Sequence, residues 1–303
     1  MANHETKMKV APWALLTVSA SWGLAFVIMK DPIEKQNVNS FLATRFVLAV
    51  LVMIAIRPRV LSQITREMLI KGFFAGLFLG SGYIFQTFGL KLVGAAITGF
   101  VTGLYVVATP LIAWLVLRHR ITVYTWLCVA LATVGLAFLS LKGWAVGAGE
   151  LLVLISAIAF AAHIVALGQW SKGLDAYAMT VVQLATCALL TGAISIGQGY
   201  KAPVNLSGWA VVVYTAIFST AVAFVIQTWS QAHISPTKVA VILTMEVVFA
   251  ALFAMVFTDE TLNLQQMLGG VLILISMLAI VIKEDPGSSN AENGAAENEK
   301  KAK

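Results

Sequence analysis

Apolar residues run along this chain in blocks of 17 to 23 positions, and charges, prolines and glycines fall between the blocks. A helix rises 1.5 Å per residue and needs about 20 apolar residues to cross the hydrocarbon core of a bilayer, so each block reads as a membrane-spanning helix. Ten are predicted, at 10–29, 40–56, 68–90, 95–117 and 122–141, then 148–168, 178–196, 208–228, 236–257 and 264–282. The second, closed by Arg57-Pro58-Arg59, has about 17 residues, the lower limit for a span. The first follows a basic segment as the apolar part of a secretory leader does. Its length, Trp13 and Trp22 within it and the spans that follow make it a helix of the mature chain.

Composition removes the soluble alternatives. Of 303 residues, 59% are hydrophobic and 11% charged, with a mean hydropathy of +0.88, against roughly 45–50% and about 25% in soluble domains. A single anchor with a large outer domain is excluded as well. The formal charge of +6 does not make a nucleic-acid face, which needs Lys and Arg clustered on one solvated surface. Residues 10–282 carry 14 basic and 8 acidic side chains, and the excess follows the membrane topology. With a cytoplasmic N-terminus, 11 Lys and Arg fall in inner segments and 5 in outer loops, as the retention of positive charge on the inner side requires. Both termini are therefore expected inside a bacterial inner (plasma) membrane, with a short cytoplasmic segment at 1–9 and a disordered tail at 283–303. Cys128 and Cys187 lie far apart in apolar stretches, with neither a CxxC spacing nor nearby histidines, and read as inert buried thiols.

The chain is weakly similar to itself at an offset of 141 residues. Gln86-Thr87-Phe88 matches Gln227-Thr228-Trp229, Tyr105-Val106 matches Glu246-Val247, and Ile121 matches Leu262. Each half, 10–141 and 148–282, holds five spans. Five is odd, so the second set enters the membrane from the opposite side. The fold class expected is an all-α integral membrane protein of ten transmembrane helices arranged as two inverted five-helix repeats. Such repeats are associated with alternating access around a site near the midplane, although duplication also builds rigid scaffolds and channels.

A charge at the bilayer centre costs on the order of 2.5–3.5 kcal/mol on insertion scales, so ionisable residues inside spans are candidates for a site. Glu246, midway along the ninth span, has two functional readings, binding a substrate amine or carrying a proton, beside a structural one as a carboxylate held by backbone or a neighbouring helix. Arg45 lies a short way into the second span, and a side chain that snorkels to the outer interface, pairing with Glu34 or Asp31, is its favoured reading. Contact with a substrate carboxylate is the alternative. His163 in the sixth span is either a structural hydrogen-bonding group or part of the pathway. Thr98, Thr102, Tyr105 and Thr109 share one face of the fourth span, and through the repeat that face corresponds to Val239, Leu243, Glu246 and Ala250. Thr220, Phe224, Gln227 and Gln231 share a face of the eighth, and Tyr83 and Gln86 one of the third. Matching stripes on equivalent helices of both halves predict a lined cavity. Gly72, Gly76 and Gly80 predict close helix packing in the third span, and Pro110 predicts a break or bend just after the fourth span's polar stripe.

The chain resembles the EamA-type branch of the drug/metabolite transporter superfamily over residues 10–282. The resemblance rests on Ser21-Trp22-Gly23, Arg45-Phe46, Gln86 through Leu90 and Gly99 through Val107 with Pro110, then on Gln227 through Gln231, Ser235-Pro236-Thr237, Glu246, Asp259-Glu260 and Leu268-Gly269-Gly270. It implies two inverted five-helix repeats and movement of small metabolites, aromatic amino acids among them, through a central cavity. Two positions depart from the family pattern. Val247 stands where a proline commonly follows the glutamate, and Arg118-His119-Arg120 stands where many members have a Gly-Glu pair.

These readings converge on a secondary active transporter exporting small amphipathic metabolites, with amino acids the leading class. The expected substrate-binding residues are Trp22, Tyr83, Gln86, Thr98, Thr102, Tyr105, His163, Gln227 and Glu246. A small-molecule substrate and the lipid bilayer are the expected partners, with coupling to a proton through Glu246 one of its two functional readings and the oligomeric state left open. No cofactor, metal or nucleic acid is expected. A facilitative channel or a scaffold without ion coupling is the alternative. Enzymatic catalysis lacks a paired nucleophile and base, and primary pumping lacks a GxxxxGK[ST] loop.

Overall fold

Without water to satisfy them, backbone N–H and C=O groups in a bilayer must bond within their own segment, and the apolar blocks form helices accordingly. The computed structural model describes residues 2–117, 122–142, 145–231, 239, 242–258 and 261–284. Outside them fall Arg118-His119-Arg120, Ile121, Ser235-Pro236-Thr237, Asp259-Glu260 and the tail from residue 285. The described residues form α1 (Ala2–Lys35), α2 (Val38–Ile56), a single turn α3 (Val60–Gln63), α4 (Arg66–Leu92), α5 (Ala95–Gly103), α6 (Tyr105–Leu117) and α7 (Val123–Ser140). A two-residue antiparallel pair, β1 (Leu141–Lys142) with β2 (Ala145–Val146), leads into α8 (Ala148–Trp170) and α9 (Ala176–Gly197). Then come α10 (Leu206–Ala216), a π-helical turn (Ile217–Val222), α11 (Ala223–Gln231), α12 (Met245–Phe257) and α13 (Leu264–Glu284).

Among the described residues seven helical runs are long and apolar enough to cross a membrane, 95–116 and 206–231 being taken as continuous runs. Three shorter apolar helical stretches, Trp126–Gly135, Met245–Phe257 and Leu264–Ser276, occupy the remaining predicted spans. Phe73, Phe74, Leu115, Trp126, Leu189, Met255 and Val271 are all exposed, an apolar perimeter that suits lipid contact.

Side-chain caps set several helix starts. Asn37, Thr65, Asp175 and Asn205 each accept a hydrogen bond from a backbone N–H two or three residues on, satisfying a donor that the helix leaves free. Packing then joins the two halves of the chain. α4 lies against α8 and α9, α2 against α9, α1 against α12, α5 and α6 against α8, and α7 against α13. The glycine prediction for the third span holds, since a side chain at Gly76 would meet the carbonyl of Gln183 in α9 at 2.6 Å. Gly23 does the same for α1, where a Cβ would sit 2.7 Å from the backbone nitrogen of Ala250 in α12. α2 and α9 are tied at both ends. At one, Arg57 pairs with Asp175 at 2.9 Å and Tyr177 donates to the Met53 carbonyl at 2.7 Å. At the other, Asn37 and Asn39 both donate to Gln198 Oε1 at 3.0 Å.

Pro110 does not break its helix; it lies inside α6, and the interruption falls at Leu104 instead. Gly99 and Gly103 weaken the turn before it, and Leu104 N–H bonds back to Val101 in a tight turn. A second interruption falls at Thr244, just before α12. There Val247 N–H donates to the Thr244 carbonyl at 3.0 Å, a bond that a proline at 247 would remove.

Candidate functional site

The two interrupted helices place Tyr105 as the first residue of α6 and Glu246 as the second of α12. A carboxylate in a first turn lies toward the positive end of the helix dipole. Both side chains line a cavity with about 520 Å³ of non-protein space.

Eight of the nine expected site residues line it: Trp22, Tyr83, Gln86, Thr102, Tyr105, His163, Gln227 and Glu246. Thr98 does not. It is fully buried and its hydroxyl donates to the Gly94 carbonyl at 2.9 Å within its own helix. The cavity is also built from repeat-related positions. Trp22 with His163, Tyr83 with Phe224, Gln86 with Gln227, Thr102 with Leu243 and Tyr105 with Glu246 are all 141 residues apart, and all ten side chains line it.

Arg45 departs from its favoured reading. It is 1% exposed and turns inward to the cavity, while Asp31 pairs with Lys35. Its Nε donates to Thr220 Oγ1 at 2.6 Å and its Nη2 to the Ser219 carbonyl at 3.2 Å and Tyr83 Oη at 3.5 Å; Nη1 reaches Met29 Sδ at 3.4 Å. Ser219 and Thr220 sit in the π-helical turn, whose wider winding takes carbonyls out of the ordinary i→i−4 ladder. The Ser219 carbonyl accepts from Trp22 Nε1 as well, at 2.8 Å.

Aromatic rings form the apolar side. Tyr83 meets Phe160 edge-on at 5.4 Å and Phe224 at 6.1 Å, and Phe224 lies 5.5 Å from Trp22. The Arg45 guanidinium stands 4.8 Å from the centre of the Tyr83 ring. Phe160 and Met29 carry no sequence signal of a site, being apolar residues within apolar spans, whereas Phe224 lies on the predicted stripe of the eighth span. His163 is oriented by a neighbour. Gln183 donates its amide N–H to the Met179 carbonyl at 3.2 Å, which leaves its oxygen to accept from His163 Nε2 at 2.7 Å.

The second half of the cavity holds uncommitted polar atoms. Gln86 donates to Thr102 Oγ1 at 3.1 Å, whereas its repeat counterpart Gln227 has Leu243 in the place of that threonine. Among the described residues the buried Gln227 Oε1 and Tyr105 Oη have no hydrogen-bond partner. Among the described residues no ion-pair partner reaches Glu246, which is 5% exposed.

A multi-helix apolar shell around a small polar cavity is the architecture of a membrane transporter, and comparison with known proteins supplies the family. The model of the EamA-like transporter family matches residues 9–141 and again 147–282. This chain belongs to the EamA-like transporter family. It is 30% identical over 278 residues to an uncharacterized transporter of Archaeoglobus fulgidus, covering 91% of this chain and 87% of that protein. A protein of known crystal structure superposes with a TM-score of 0.66 at 19% identity, over 92% of this chain and 99% of that one. At that identity the likeness shows the fold alone.

Proposed function

We propose that this protein is a secondary active transporter that exports small amphipathic metabolites, amino acids foremost, by alternating access from the central cavity. The observation that carries the reading is the cavity itself, where the polar residues of two halves meet in repeat-related pairs and an unpaired carboxylate stands among them. An inward carboxylate without a partner is costly in a bilayer and marks a ligand or proton site by default.

In this reading ten helices cross the plasma membrane as two inverted five-helix repeats, 10–141 and 148–282, with both termini cytoplasmic. The double family match supports the duplication. So does the exchange of contacts, since α1 packs on α12 as its counterpart α8 packs on α5 and α6. Interrupted helices at Leu104 and Thr244 put half-helix ends beside the site, an arrangement used by transporters with inverted repeats. Trp22, Phe160 and Phe224 take the apolar body of the substrate, while Gln86, Thr102, Tyr105 and Gln227 orient its polar ends. Glu246 reads the substrate amine or carries the coupling proton.

Uptake into proteoliposomes with Glu246→Gln tests that role. The expected result is an affinity for amino acids reduced about tenfold or more, from losing a charge-assisted hydrogen bond, or a flattened pH profile of transport. Unchanged affinity together with an unchanged pH profile contradicts it.

A further inference from the structure

We infer that the Glu246, Gln227 and Tyr105 side of the cavity is a socket for a primary ammonium group, with Gln227 Oε1 the acceptor that sets this preference. The inference rests on the cavity being a transport site and adds which cationic group it admits.

Two chemistries hold an amine in a cavity. Ring faces attract any cation, quaternary ones included, whereas acceptor atoms require N–H donors. Here the Tyr83 ring face is already engaged. The Arg45 guanidinium lies 4.8 Å from the Tyr83 ring centre and 5.8 Å from that of Phe46. It is fastened there by Thr220 and the Ser219 carbonyl. A second permanent cation against Tyr83 meets that charge at close range and is repelled. Around Tyr83 the cavity therefore suits an uncharged body or an anionic group.

The same lining also holds acceptors without donors. Gln86 spends its amide N–H on Thr102. In the second half Leu243 replaces the threonine and Glu246 replaces Tyr105. Gln227 Oε1 and Tyr105 Oη are buried and unpartnered, and Glu246 has no ion-pair partner among the described residues. Buried polar groups are ordinarily satisfied. A primary ammonium brings three N–H donors to these groups. A trimethylammonium brings the same charge and none, so Gln227 Oε1 stays unsatisfied beneath it.

Binding to the purified full-length protein in detergent tests this with L-phenylalanine and L-leucine, their N,N,N-trimethyl derivatives, and 3-phenylpropanoate and 4-methylpentanoate, which lack nitrogen. The primary amines are expected to bind about ten- to a hundredfold more tightly than the trimethyl forms, the usual effect of leaving a buried acceptor unmet beside a charge. Gln227→Leu is expected to shrink that ratio about tenfold. Trimethyl forms binding as tightly as the primary amines to the wild type overturn the socket and leave the transport reading standing. A Gln227→Leu protein that keeps the full ratio does the same, as do nitrogen-free acids that bind as tightly as the amino acids. Failure of every probe to bind removes the amino-acid transport reading and the socket with it. The wild-type comparison needs no variant to fold.

Discussion

Four acceptors surround Arg45, and they account for its turning inward where its position near a helix start suggests snorkelling. Thr220 Oγ1, the Ser219 carbonyl, Tyr83 Oη and Met29 Sδ lie on three different elements and match the flat fork of a guanidinium. A lysine keeps the charge but has a single nitrogen, which cannot reach Thr220 and the Ser219 carbonyl in the same geometry. Arg45→Lys is therefore expected to lower stability in detergent by about 1–3 kcal/mol, the penalty for stranding buried partners, read as a lower melting temperature. An unchanged melting temperature shows that these bonds do not hold the helices together. The contrast with Glu246 explains what a sequence displays at this scale. A carboxylate, two glutamines and a histidine stand out against apolar neighbours because the bilayer penalises them wherever they point. The direction in which Arg45 points depends on a π-helical turn 174 residues away, and nothing in Thr44-Arg45-Phe46 encodes that turn. Phe160 was hidden for the opposite reason, since an apolar residue lining a cavity looks like one facing lipid.

Helix ends decide how α2 and α9 hold together. Asp175 accepts from the Ala178 N–H at 2.9 Å as the cap of α9 and also pairs with Arg57. Partial burial pushes its carboxyl up, but the Ala178 N–H and the Arg57 guanidinium outweigh that and hold it below the ordinary 3.8. A depressed carboxylate contributes stability that is present above the unfolded value and lost as the pH falls through the folded one. Asp175→Asn keeps a capping side chain but loses the ion pair. At neutral pH it is expected to cost no more than about 1 kcal/mol, because both partners are over a third exposed. That difference from wild type should close as the pH drops below 3.8. Asp175→Ala loses the cap too, roughly 1 kcal/mol more. Thermal melts of the three proteins across pH check both, and a gap that widens in acid refutes the assignment. At this scale the sequence was informative about apolar blocks, whose predicted limits fall within a few residues of the helices for most of the chain. It misdirected on Pro110. A proline marks where an N–H is missing, but here the helix parts at Leu104, where glycines make parting cheap and repeat packing places a half-helix end.

Across the whole molecule, duplication joins the fold to the site. One offset of 141 residues relates Trp22 to His163, Tyr83 to Phe224 and Tyr105 to Glu246, and all six reach one cavity. Only the last of these pairs was legible in the chain, because aromatic-for-imidazole and tyrosine-for-phenylalanine exchanges leave little trace in a weak self-similarity. Thr98, on the same predicted stripe, does not reach the cavity; it is fully buried and its hydroxyl is spent on the Gly94 carbonyl. Two symmetric halves that have diverged at matched positions suit a site exposed alternately to each side, whereas a scaffold needs no such cavity and a channel no occluded carboxylate. Counter-flow in proteoliposomes tests that claim most directly. Vesicles loaded with unlabelled phenylalanine or leucine should accumulate the labelled amino acid faster than empty ones, and Glu246→Gln should abolish the stimulation. Labelled flux that rises linearly with concentration and is indifferent to the amino acid inside would contradict a carrier.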